Sequence, residues 1–157
     1  MAVFLSFYSC RNDVFPEKEA YTNSSKFQLT SKRISLSESK HKIKLLPELE
    51  KAKNVFKTKN AAGKVVQYGN GISINTDDVI YIENGSNYHT YTFRIEREGA
   101  PADAPLENLV LSPLSDGTYR EMLITYNITE QEKLRMNAGS TVDLTGKVAY
   151  TPLQSKT

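Results

Sequence analysis

The chain has 157 residues, 39% of them apolar and 24% charged, with a formal net charge of +2. That length suits one domain with a core of its own, and the composition excludes wholesale disorder. So small a net charge gives no electrostatic case for nucleic acid, and a single cysteine cannot form an intrachain disulfide, a cysteine-based zinc site or a redox pair.

Residues 1–10 are apolar and end in Ser9-Cys10, after which Arg11-Asn12-Asp13 turns polar at once. This is the shape of the end of a bacterial lipoprotein signal, so Cys10 is the candidate lipidation site and residues 11–30 read as a flexible tether. Several acyl chains on one thiol would give firm membrane anchoring. The pattern lacks a basic start, and Phe7-Tyr8 is bulkier than the usual small-residue box. The competing reading is a short first strand ending in an inert buried cysteine. No apolar run approaches the roughly 20 residues that span a bilayer as a helix.

Residues 31–157 read as a single α+β domain. Ser35 and Glu38 have the spacing of a capping box, and Leu45, Leu49, Ala52 and Phe56 recur on one helical face. Pro47 removes an amide inside that pattern, which predicts a kink or a second helix opening on the proline. Lys44, Lys51, Lys53 and Lys57 take much of the remaining surface, His41 among its lysines is expected to be exposed, and Asn60-Ala-Ala-Gly63 ends the element. Lysine and arginine crowd the stretch 26–64, whereas acids dominate 65–132. A basic helix beside an acidic sheet explains this, and a basic patch on an anionic membrane surface is the sharper alternative.

The sheet is expected to be an antiparallel meander of four to six strands, with the basic helix on one face. Short strands are read at Val65–Tyr68, Ile72–Ile74 and Val79–Ile82. Asn84-Gly85 and Asp116-Gly117 are hairpin signals, since both residue types tolerate positive φ. Between them lies the cleanest alternation, with His89, Tyr91, Phe93 and Ile95 against Thr90, Thr92, Arg94 and Glu96. The prolines of the 99–105 loop stop that strand, Leu106–Leu111 starts the next, and Met122, Ile124 and Tyr126 share a face of the one after. Thr129 and Glu132 form a second capping box for a short second helix ending near Gly139. Val142–Tyr150, interrupted at Gly146, closes the domain.

Chemistry-bearing residues are sparse. Tyr81, His89, Tyr91, Tyr119 and Tyr126 form the candidate binding surface. An enzyme would need a pocket gathering His89 with Asp77, Asp78 or Glu121, within reach of a transferred proton. Asp77, Asp78, Glu83, Asp103 and Asp116 fall in turns, where acids are favoured for backbone reasons, and their spacing makes no calcium loop. No catalytic residue, metal ligand or cofactor is assigned.

The runs Thr90–Arg97, Leu106–Leu111, Asp116–Tyr119 and Thr125–Lys133 resemble the N-terminal region of exported, often lipid-anchored proteins of flavobacteria and related Bacteroidota. The resemblance spans about Leu36 to Val148. It implies an envelope location, an outer-membrane lipoprotein or a periplasmic protein, and supports lipidation of Cys10. It implies no activity or ligand, and it raises the expectation that an effector region follows in a longer chain. The favoured reading is therefore a non-enzymatic lipoprotein module that presents or binds a protein or glycan. A small inhibitor or immunity-like binding protein, cytoplasmic if Cys10 is unmodified, is the alternative. A third is a non-catalytic subunit or piece of a larger exported protein.

Overall fold

Five strands with inward-facing apolar residues at every second position, closed by tight turns, set up the sheet. The computed structural model describes residues 29–56, 71–85 and 88–153. Cys10, the tether before Leu29, the helix terminator at Asn60–Gly63 and the strand read at Val65–Tyr68 lie outside them.

The strands are β1 (Leu29–Ile34), β2 (Ile72–Ile74), β3 (Val79–Asn84), β4 (Tyr88–Arg97), β5 (Leu106–Pro113), β6 (Tyr119–Tyr126) and β7 (Val148–Pro152). All pairings are antiparallel, in the order β1-β3-β4-β5-β6-β7, and β2 pairs with the far end of β4 beside β3. The architecture is thus α+β with a seven-stranded antiparallel sheet, more strands than the four to six expected. The unforeseen one is β1. Its sequence LTSKRI carries no inward alternation because it is an exposed edge strand, held by its ladder to β3 and by the Arg33–Asp78 ion pair. β7 begins only after Gly146, whose φ of +69° turns the chain. The β5–β6 hairpin turns at Gly117, in the left-handed region as its sequence signal requires.

Cross-strand register arranges the inner face in rows. Tyr81, Tyr91, Leu111 and Glu121 stand opposite one another across β3, β4, β5 and β6. The next row is Phe93, Leu109, Leu123 and Thr151, and the one beyond it Ile74, Ile95, Glu107, Thr125 and Ala149. Facing residues of this kind are the units of packing in a sheet. The opposite face carries Ile80, Ile82, Val110, Met122, Ile124 and Tyr126, all half-buried.

Helix α1 (Lys42–Phe56) lays the expected face, Leu45, Leu49, Ala52 and Phe56, on the first two rows. It is one continuous helix, not two. Pro47 takes the donor from the Ile43 carbonyl on the solvent side, where Ile43 is 86% exposed and water can replace it. The Ser35–Glu38 box forms, but it caps a separate 3-10 turn over Leu36–Glu38, with Glu38 accepting from the Ser35 amide at 2.7 Å. That turn seats buried Leu36 and Ser39 before the helix starts. Helix α2 (Glu130–Asn137) opens on the Thr129–Glu132 box as read and buries no residue.

Candidate functional site

At its start α1 meets the sheet through rings. His41, one residue before the helix, stacks on His89 of β4 with centroids 4.1 Å apart and planes 7° from parallel. Ser39 Oγ donates to the Tyr91 hydroxyl at 2.9 Å, which leaves the single phenol proton for His41 Nδ1, also at 2.9 Å. His89 Nε2 meets the Tyr119 hydroxyl at 2.9 Å, and Tyr81 packs on Tyr91 at 4.9 Å. His41 is therefore half-buried and partnered, contrary to its expected exposure. Its neighbouring lysines point away while its ring turns onto the sheet.

The electrostatics of this cluster hold every member neutral. Burial first, then the charges of Lys44 and Lys40, depress His41 despite nearby Glu83. Burial and the facing His41 likewise depress His89. Burial raises Tyr91, and pushes Tyr81 and Tyr119 up to about 12. Neutral imidazoles hydrogen-bonded to neutral phenols make a polar seat for the helix, with no group poised to exchange a proton near neutrality.

Two helical turns later two acids meet. Glu48 of α1 and Glu121 of β6 are both buried, and Lys51 donates to Glu48 at 2.9 Å. Burial, then the hydrogen bond and like charge of Glu48, push the Glu121 carboxyl up to about 7, against the pull of Lys51. Burial beside a second carboxyl thus makes Glu121 hold its proton well above the ordinary carboxylate range. The two acids sit beside a groove of about 480 Å³ whose other walls include Arg120, Leu114 and Leu153.

Over the third row lies a cleft of about 460 Å³. Ile95, Glu107, Thr125 and Ala149 floor it, the loop from Ala100 to Pro105 forms one wall, and Lys133 of α2 stands at its rim. Arg97 lies beneath, its Nε and Nη2 forked onto the two Glu107 oxygens, the second contact at 3.1 Å, and its Nη1 on the Phe56 carbonyl at 3.3 Å. The side chains of this pair are 6% and 9% exposed, so the charges cancel inside the protein. Lys133 Nζ donates to the carbonyls of Ala102 and Ala104, which shapes the loop and leaves its charge unopposed. Thr125, 6% exposed, has a buried hydroxyl with no hydrogen-bond partner, alone in this among the described side chains.

Of the sequence candidates, Tyr81, His89, Tyr91 and Tyr119 come together on the inner face. The three tyrosines are buried under the helix, and Tyr126 lies on the opposite face. His89 is not gathered with the acids. Asp78 binds Arg33 on the outside, the Asp77 amide caps onto Asn75, and Glu121 pairs with Glu48. Among the described residues no three His, Cys, Asp or Glu side chains could hold a metal ion. The cleft residues Arg97, Glu107, Thr125 and Lys133 went unread. The only available signal was polar residues at inward positions of three neighbouring strands.

The chain matches no family model, no curated protein and no solved structure.

Proposed function

We propose that this chain is a non-enzymatic binding module of the bacterial cell envelope, tethered to the membrane through a lipid on Cys10, and that its protein or glycan partner enters the cleft over the third row. That cleft carries this reading. Under the described part of α1 the polar groups of the inner face partner the helix and its lead-in. Over the third row the described residues instead line a preformed cavity of the size that ligand sites favour, about 300–1,000 Å³. An unsatisfied buried hydroxyl such as that of Thr125 costs stability, and sites that give up stability locally are commonly those kept for binding.

The anchoring half rests on the Ser9-Cys10 pattern and the sequence resemblance. Intact mass of the chain from a flavobacterial host tests it: a diacylglyceryl adduct on a chain beginning at Cys10 is expected. Unmodified protein retaining Met1 would move the inhibitor-like, soluble alternative to the front. The binding half is tested by Ala149→Trp, which fills the cleft from an exposed floor position. Cross-linking on intact cells should lose its product with this variant and keep it with Tyr150→Ala on the opposite side of β7. Equal cross-linking by the folded Ala149→Trp protein would remove the cleft from the function.

A further inference from the structure

We infer that the group this cleft takes is a carboxylate on an apolar stem, as at an apolar C-terminal residue of a protein partner; this rests on the reading of the cleft as the binding site.

Charge accounting leads there. Arg97 and Glu107 neutralise each other in a two-point fork, so neither recruits a charged ligand without breaking a buried pair. Lys133 is different. An ammonium has three donors, and two are spent on the Ala102 and Ala104 carbonyls. Those carbonyls orient the third without cancelling the charge, and Lys133 joins no ion pair among the described residues. Arg94 and Glu96 also line the cleft and offset each other in sign, so its side-chain charges still leave one positive in excess, with Lys133 held at the rim by the loop carbonyls. A cationic ligand would be repelled, and a neutral one would leave that charge desolvated without compensation.

The walls define the rest. Pro101, Pro105 and Leu106 form one side, with Ile95 and Ala149 on the floor, and none of them offers a side-chain donor. They suit an aliphatic side chain, and the lining gives a sugar ring no aromatic face to stack on. A carboxylate at Lys133 with its apolar side chain against the proline wall satisfies both halves of the site, in the manner of proteins that capture a free C-terminus. Electrostatic complementarity of this sort selects among partners more than it adds affinity.

The test uses the full chain, isotope-labelled, with matched probes: N-acetyl-leucine, N-acetyl-leucine amide and glucuronate. The two leucine probes share one body and differ in charge. N-acetyl-leucine should shift the amide resonances of Ile95, Glu107, Thr125 and Ala149. It should bind about tenfold more tightly than the amide, the usual margin of a charge-assisted hydrogen bond. Lys133→Met should abolish that margin, and added salt should erode it in the unaltered protein, a measurement independent of any variant's folding. Equal binding of acid and amide would overturn the carboxylate and leave the cleft standing as a binding site. Shifts from glucuronate without shifts from N-acetyl-leucine would overturn the apolar stem in favour of an acidic glycan. Silence from all three probes, joined with unchanged cross-linking of Ala149→Trp on cells, would overturn both the ligand class and the cleft itself.

Discussion

The two ends of the inner sheet face are built from similar rows and treated oppositely. Under the start of α1, the row Tyr81, Tyr91, Leu111 and Glu121 meets a helix that supplies a partner for its polar groups: His41 and Ser39 for Tyr91, and Glu48 for Glu121. The row Ile95, Glu107, Thr125 and Ala149 lines the cleft instead. Arg97 answers Glu107 from within the sheet, and Thr125 has no answer among the described residues. Polar residues on an inner sheet face therefore do two jobs here. In the first row they fix where a helix sits; in the third they line a cleft. Which job falls to a residue depends on the row it occupies.

The largest test of that contrast is Arg97→Ala. It removes the ion-pair partner that buried Glu107 has among the described residues, together with the contact to the Phe56 carbonyl, and should cost about 4 kcal/mol in denaturant unfolding. A loss within about 1 kcal/mol, the range of an exposed pair, would mean the open end is as solvated as an ordinary surface.

Titration of the covered end gives the next effect, and its two halves have opposite signs. His41 and His89 sit below the ordinary histidine value of 6.5, so below that pH the unfolded chain binds protons the folded one refuses. Their contribution is present above pH 6.5 and is lost as pH falls. Glu121 is raised from 4.5 to about 7, so its contribution is full below pH 4.5 and is lost as pH rises through 7. Between about pH 4.5 and 6.5 the two slopes oppose, and the unaltered protein should show a shallow profile. Glu121→Gln should leave stability falling as pH drops below 6.5. His89→Phe, which keeps a ring on His41, removes one of the two histidine slopes and should make stability fall more steeply than in the unaltered protein as pH rises towards 7. Parallel profiles for the two variants would dissolve the comparison between helix-seating histidines and helix-seating acids.

The smallest effect is a gain. Thr125→Val removes the unpartnered hydroxyl at constant shape and should stabilise the protein by about 1 kcal/mol, read as a higher midpoint with an unchanged denaturant slope. A loss of stability would show that the hydroxyl is satisfied in solution.

Much of the fold was legible because its signals are local. The alternation through Tyr91, Phe93 and Ile95, the helical spacing of Leu45, Leu49, Ala52 and Phe56, the turn at Asp116-Gly117 and the Thr129–Glu132 cap each depend on a few neighbouring residues. β1 was not legible, because an exposed edge strand needs no apolar pattern to pair. The sequence left open whether Pro47 kinks one helix or opens a second, and the structure has one helix. The proline falls on the solvent side, where a missing donor is cheaply replaced by water.

The site depended on distances along the chain that no local pattern spans. His41 meets His89 across 48 positions because the 3-10 turn at Leu36–Glu38 swings the start of α1 onto β4. Glu107 and Thr125 stand side by side because the hairpin register at Gly117 puts them there, and a slip of one residue would send both to the other face. By itself the sequence determined that this would be an antiparallel sheet with one basic amphipathic helix, since period-2 and period-3.6 patterns report what each segment buries. Only tertiary structure decided which row seats the helix and which lines the cleft, because the helix's place on the sheet is set by its packing against distant strands.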